Sequence, residues 1–321
     1  MGRIIIQRIF GAGITLLVLS GLTFALLALM PGDPVDLLAG SDPRMTPDDI
    51  ARLKALYGVD KPFWERWISW LGRLAEGEFG YSRMFGAPVV DVLPEALLRT
   101  LSLAIAALAI SSVLGIAGGA LAALKPGSIF DYGANFLAFA GAAAPSFWLA
   151  LMGMSLFSIT LGWLPATALP ADPDVGFFEH ARHLILPIAV LAALETAAIL
   201  RHARAAIGEA LTQAHVQTAR SKGLSDLRII WHHVLPNAMT PLVTVLALDL
   251  GALASGAVVV EVMFGYPGMG KLLYDAILGA DYNLAMAVLL LGAGAILLAN
   301  AAADVAYAAL DPRIGFGKAE T

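Results

Sequence analysis

Cysteine is missing from the chain, which leaves it no disulfide framework, no thiolate chemistry and no cysteine-ligated metal site. Charge is also scarce. Only 14% of the 321 residues are charged, where a soluble domain carries about a quarter. The formal net charge of −5 excludes little, because the sign asymmetry across a membrane matters more than the total. Catalytic patterns are missing as well. No Ser-His-Asp or paired-carboxylate set falls on one element, so an intramembrane enzyme, the rival functional class, has no visible nucleophile–base pair or metal motif.

Apolar sequence fills the space. Leu, Ala, Ile and Val bring the apolar share to 59%, in runs longer than the ~18 residues that mark membrane-spanning helices. The expected fold is an all-α integral membrane protein with six transmembrane helices, at about 4–30, 97–124, 132–162, 184–206, 237–262 and 284–308. The run 4–30 exceeds the ~7–15 residues of a signal-peptide core and reads as an uncleaved first span. The domain plan is then 1–30 as first span, 31–96 as a helical external insertion, 97–308 as a core containing a polar loop at 201–236, and 309–321 as a tail.

In the insertion, Thr46, Pro47 and Asp49 form a capped helix start with Gly58 as its stop. A second helix follows Asp60-Lys61-Pro62, with Trp64, Trp67, Leu71 and Leu74 on one face. Trp64, Trp67 and Trp70 suit either a membrane interface or the core of a small subdomain. Farther on, Gly115 and Gly119 offer a small-xxx-small contact face. Pro145 interrupts the third span and needs neighbours to satisfy the freed carbonyl.

Basic residues fix the orientation. Arg3, Arg8, Lys125, Arg313, Lys318 and the island at 201–236 fall on one side, against Arg182 and Lys271 in the short loops of the other. The positive-inside rule places the island and both termini in the cytoplasm of a multi-pass membrane protein. Within the island Gly223 reads as a helix stop, Ser225 as an N-cap and Pro236 as the end of the next helix. Leu224, Leu227, Ile230, Trp231 and Val234 make an apolar stripe that either docks on a partner or packs on its own bundle. A loop of this length with its own helices argues against a simple channel.

Other motifs are decoys. Gly265–Lys271 nearly matches a phosphate loop, but Leu272 has no hydroxyl for Mg²⁺, so a tight re-entrant turn is expected instead. Glu179, His180 and His183 form too sparse a set for a metal site, and His232 and His233 are expected to face headgroups or a partner. Glu195, Asp249, Glu261 and Asp304 place carboxylates within or at the ends of apolar spans, where they mark a pathway or a buried pair.

Gln217-Thr218-Ala219, then Gly223 and Leu235-Pro236, resemble the EAA loop of ATP-binding-cassette importer permeases, and Thr218–Leu224 follows the dipeptide, oligopeptide and nickel branch. Pro31–Pro34, Tyr57–Pro62, Gly77–Gly80, Ser128–Asp131, Phe264–Gly270, Asp281-Tyr282 and Asp311–Arg313 resemble signatures of the same family, in order. The resemblance implies the type I importer permease fold and a subunit moving peptides inward, or else nickel or a nickel chelate. Its implied partners are a second, non-identical permease, two ATPases that bind ATP and Mg²⁺, an external solute-binding protein and membrane lipid, with no nucleic acid and no cofactor in this chain. The coupling residues it implies are Gln217, Thr218, Ala219, Arg220, Lys222, Gly223, Leu224, Ser225, Leu227 and Trp231. The family's fifth helix helps line the path, so Asp249 becomes a pathway candidate, with Glu195, Ser255 and Glu261 beside it, while structural or gating roles are favoured for Glu261 and Asp304. For Asp249 the alternatives are an interhelical hydrogen bond or a protonated buried acid.

Overall fold

The structure, a computed structural model, describes residues 2–29, 46–48, 50–52, 61–172 and 174–310. The expectations for Asp49, Gly58 and Asp311–Arg313, and for the Asp304 side chain, lie outside the described residues. The elements are α1 (Gly2–Ala28), α2 (Phe63–Ala75), a two-stranded hairpin of β1 (Tyr81–Ser82) and β2 (Ala87–Pro88), and α3 (Val89–Leu124). Then come α4 (Ile129–Ala143), α5 (Ser146–Thr160), α6 (Phe177–Thr212) and α7 (Ala214–Ser221). The chain continues through α8 (Asp226–Ala254), α9 (Val258–Phe264), α10 (Met269–Leu278) and α11 (Tyr282–Leu310). Among the described residues, α3, α6, α8 and α11 contain stretches long and apolar enough to cross a membrane, and α4 with α5 forms a bent pair that meets the same test together.

The helices form two compact units. The smaller holds residues 2–97 and 272–294. In it α2 packs on α1: Trp67 Nε1 donates to Ser20 Oγ (3.2 Å), and Phe24 and Phe63 meet edge to face at 5.5 Å. Trp70 is buried while Trp64 is exposed, so the three tryptophans are shared between the subdomain core and its surface. The hairpin pairs Tyr81 with Pro88 and Ser82 with Ala87. Buried Asp281 holds it, accepting from Ser82 Oγ (2.6 Å) and the Met84 amide (3.1 Å) while capping α11 through the Leu284 amide (3.2 Å).

The larger unit covers 98–271 and the chain from 295 onward. Here α6 is the central post, packed by α4 and α8. Gly115 and Gly119 let α3 approach it as expected. A Cβ at Gly119 would lie 2.7 Å from the Ala203 Cβ, and one at Gly115 would lie 2.7 Å from the Ile199 side chain.

Four boundaries depart from expectation. The second span begins at Val89, not 97, because Pro94 is carried inside the helix and does not mark its edge. The third span is two helices bent by 104° at Ala144-Pro145. Pro145 takes an extended conformation and its carbonyl accepts from the Trp148 and Leu149 amides, so it starts α5 and does not kink one helix. The fourth helix runs from Phe177 to Thr212 and absorbs the first third of the polar island. The fifth ends at Ala254, where Gly256 turns the chain at φ 119° into the separate α9.

Candidate functional site

The polar island is built on α6, α7 and the start of α8. One residue, Gln213, breaks the helix between α6 and α7 with an extended backbone (φ −69°, ψ 148°). Every 3.6-residue turn of α7 must then place one face somewhere. Val216 and Ala219 take the inner face, packing with Ala203, Ile207 and Ala210 of α6 and Ile229, Val234 and Ala238 of α8. Gln217, Thr218, Arg220 and Lys222 stay exposed. The helix stops as the sequence predicts: Gly223 has φ 77° and donates to the Arg220 carbonyl, and the Leu224 amide reaches back to Ala219. Ser225 stands at the N-cap in extended conformation with no side-chain cap bond, its carbonyl accepting from the Ile229 amide.

Two details correct the sequence reading. Pro236 does not end a helix, because α8 runs through it. A π turn at Ile230–Val234 precedes the proline, the Leu235 amide bonding back to the Ile230 carbonyl. That widening relaxes the i−4 bond Pro236 cannot make. The nearby His233 carbonyl accepts from Asn237 Nδ2 (2.7 Å) and His215 Nε2 (3.1 Å), tying α7 to α8. The apolar stripe also divides. Val234 and the unforeseen Ile229 are fully buried in the unit's own core, while Leu227 and Trp231 are 68% and 60% exposed. Leu227 and Ile229 are separated by about 200° of regular helix, and the extra residue in the π turn takes Val234 off the Leu227 face.

The carboxylates fall into two environments. Glu261 is 0% exposed and saturated with donors. It accepts from Thr100 Oγ1 (2.7 Å) and the Lys271 amide (2.9 Å), and Thr100 Oγ1 in turn accepts from the Met269 amide (2.7 Å). This closes the Gly265–Gly270 turn with no room to spare, since a Cβ at Gly268 would sit 2.4 Å from Thr100 Oγ1. Ser255 lies outside α9, at the end of α8, and donates to the Ala252 carbonyl (2.7 Å). The first-turn amides of Met269–Leu278 are already engaged, Met269 by the Thr100 hydroxyl and Lys271 by the Glu261 carboxylate, so they are not presented to a phosphate.

Glu195 on α6 and Asp249 on α8 are each partly buried, lie on the two helices that pack most extensively, and interact electrostatically. His202, whose Nδ1 lies 2.9 Å from the Ala198 carbonyl, is a further electrostatic neighbour of Asp249. The Oδ2 of Asp249 is buried without a hydrogen-bond partner among the described residues. At the far end of α6, Glu179 Oε1 lies 3.7 Å from His183 Nε2, while His183 Nδ1 donates to the Thr167 carbonyl (2.7 Å). No group of three potential metal ligands occurs among the described residues.

One constellation escaped the sequence reading. Asp131, quoted only as part of a motif, is buried beneath the guanidinium of Arg204, which contacts both its oxygens. The available signal was a lone Asp in the first turn of an apolar helix together with an Arg on the bundle-facing side of the island.

Residues 115–316 match the family model of binding-protein-dependent transport system inner membrane components, and residues 1–104 match the model of the N-terminal part of such components. The chain is 38% identical to the di/tripeptide transport system permease protein DppB of Pseudomonas aeruginosa, with 94% of both chains covered. It is 34% identical to the oligopeptide transport system permease protein AppB of Bacillus subtilis, covering 98% of this chain and all of that one. The dipeptide transport system permease protein DppB of Escherichia coli is 35% identical over 94% of each. Among solved structures, a chain of the inward-facing MetNI methionine ABC transporter superposes with a TM-score of 0.56 at 18% identity, covering 69% of this chain and 97% of that chain.

Proposed function

The chain belongs to the family of binding-protein-dependent transport system inner membrane components and has the type I ABC importer permease fold, and from that premise we propose that it is one permease subunit of an ATP-driven peptide importer. In this reading six spans cross the inner membrane, both termini and the α6–α7–α8 junction face the cytoplasm, and the chain forms half of the translocation path. A second, non-identical permease completes the path, and an external solute-binding protein delivers substrate. Two cytoplasmic ATPases bind ATP and Mg²⁺, none of which is held by this chain. Di- or oligopeptides are the favoured substrates because relatives matched over nearly their full length carry that description. Nickel has no comparable support.

The observation that carries the coupling role is the division of labour in α7 and the start of α8. Buried Val216, Ala219, Ile229 and Val234 fix the junction. Gln217, Thr218, Arg220 and Lys222, with Leu227 and Trp231, project from it as a mixed cationic and aromatic face. A rigid base with exposed aromatic and arginine anchors is the anatomy of a docking surface. Leu224 and Ser225, with Gly223, set the angle between its two halves.

The experiment is co-purification. Deleting 217–223 or replacing Gly223, whose φ of 77° disfavours any side chain, is expected to lose both ATPase chains from the membrane complex. Undiminished ATPase binding and activity in the deletion would remove the docking role. For the pathway we assign Glu195 and Asp249 to contact with a peptide's ammonium or cationic side chain, and Glu261 to holding the turn, with Ser255 at the hinge beside it. Uptake of labelled peptides against ⁶³Ni²⁺ in the reconstituted complex separates the two substrate readings.

A further inference from the structure

Asp131 is saturated. Its Oδ2 accepts from Arg204 Nη2 (2.7 Å) and the Gly127 amide (2.9 Å). Its Oδ1 accepts from Arg204 Nε and Asn135 Nδ2 (2.7 Å). Two donors on each oxygen use the capacity of the carboxylate, and the two-pronged arginine contact fixes its orientation as well as its distance. Those donors come from three places: the turn after α3, the second turn of α4, and α6. The backbone at Arg204 is also closely approached by α3, since a Cβ on Gly119 would lie 2.8 Å from the Arg204 amide nitrogen. The three helices are therefore clamped at one point.

The position of the clamp gives it a consequence. Arg204 lies in the last turns of α6, and α7 hangs from α6 through the single extended residue Gln213. Neighbouring Ala203 and Ile207 belong to the same apolar cluster as Val216 and Ala219 of α7. On the other side Asp131 begins α4, whose far end meets α5 at the 104° bend. A load on α7 reaches Arg204 through helix and packed core, then crosses to α4 along their packed face, where this ion pair fixes the register.

Resting on the coupling role proposed for α7, we propose that Asp131–Arg204 is the strut that makes α4 and α5 move with the coupling helix when the ATPases close. Asp131 and Arg204 are positioning residues in this scheme and touch neither nucleotide nor substrate. Asp131 is enclosed while the Arg204 side chain stays 36% exposed, and an ion pair open to solvent on one side fixes geometry while adding little net stability, which suits a strut.

The absence of cysteine makes the chain a ready background for spin labels. Labels at Thr212→Cys on α6 and Ser155→Cys on α5, both exposed, report the distance across the strut by electron double resonance in the assembled transporter, nucleotide-free and trapped with ATP and vanadate. Neither state needs a transported substrate. With the strut intact the distance is expected to be the same in both states. In Asp131→Asn the nucleotide-free distance is kept, while trapping shifts it by more than about 5 Å, the scale of a one-turn slip. Three results would overturn the proposal: a wild-type distance that changes on trapping, a variant distance that does not, or equal broadening in both states, which marks simple loosening. Where Asp131→Asn does not assemble, Arg204→Lys, which keeps the charge and loses the two-pronged contact, decides by the same criteria. Failure of the coupling reading would show separately, as ATPases retained after deletion of 217–223.

Discussion

Glu261 and Asp249 are both acids in a largely apolar chain, and they are treated in opposite ways. Glu261 is fully buried with its hydrogen-bonding capacity taken up by Thr100 and the amides of the turn that follows. Asp249 is only partly buried, yet keeps one oxygen out of water with no partner among the described residues and has Glu195 as an electrostatic neighbour. A saturated carboxylate is a structural rivet, since its cost of burial is offset on the spot. An unsaturated one costs stability in the state described, and is worth keeping where another state or a ligand supplies the missing donor.

Breaking the rivet gives the largest expected effect. Glu261→Ala strands the Thr100 hydroxyl and the Lys271 amide, at about 1–3 kcal/mol each, so a loss of membrane-extracted yield and a fall in Tm by thermal-shift assay are expected. An unchanged Tm would remove the rivet reading. Gly268→Ala tests the same turn from the steric side. A methyl 2.4 Å from Thr100 Oγ1 forces repacking at about 1–3 kcal/mol, and Thr100→Ser in the same chain should not relieve it, because the Oγ atom remains.

Asp249 inverts the pattern. Asp249→Asn should leave stability within about 1 kcal/mol of the wild type, with little change in Tm, because a neutral amide is easier to bury than an unpaired charge. Peptide uptake at a fixed ATPase rate should nevertheless fall, by about tenfold if one ammonium contact of ~1.4 kcal/mol is lost. Unaltered uptake and coupling would sink its place in the path. The smallest stability effect belongs to Trp231→Ala. With 60% of the side chain exposed, the folded protein should change by no more than about 0.5 kcal/mol, while affinity for the ATPase chains, measured by co-purification against salt and detergent, drops by about tenfold or more.

How far these regions were readable in the sequence depends on the range of the forces involved. The stop at Gly223 is a local matter of one backbone dihedral, and the residue type announces it. The Gly115/Gly119 approach is nearly as local, since a four-residue spacing fixes the face. Pro236 misled because a proline ends a helix only when nothing compensates for its missing N–H. At Pro236 a π turn does so, and no residue type in Ile230–Val234 signals one. The bend at Pro145 was expected as a strained point but not as a 104° change of direction, which follows from Ala144 and Pro145 both being extended. The partition of the stripe into buried Ile229 and Val234 and exposed Leu227 and Trp231 depends on that π turn and on which face α6 occupies. Asp131–Arg204 spans 73 positions in the chain, and periodicity cannot pair residues so far apart.

The π turn also makes the sensitivity of α8 to length depend on place, in a way that substitution would not reveal. Angular register along a helix changes by about 100° for each residue gained or lost. Ile230–Val234 holds one residue more than a regular turn would, between the segment carrying Leu227 and the membrane segment carrying Asp249. A π turn takes up its surplus residue by turning less per residue, so deleting one residue there regularises the helix and leaves the Leu227 end and the Asp249 segment in nearly the same phase. A deletion in the regular helix beyond it has no such reserve and turns the outward aromatic face by about 100° toward lipid or core.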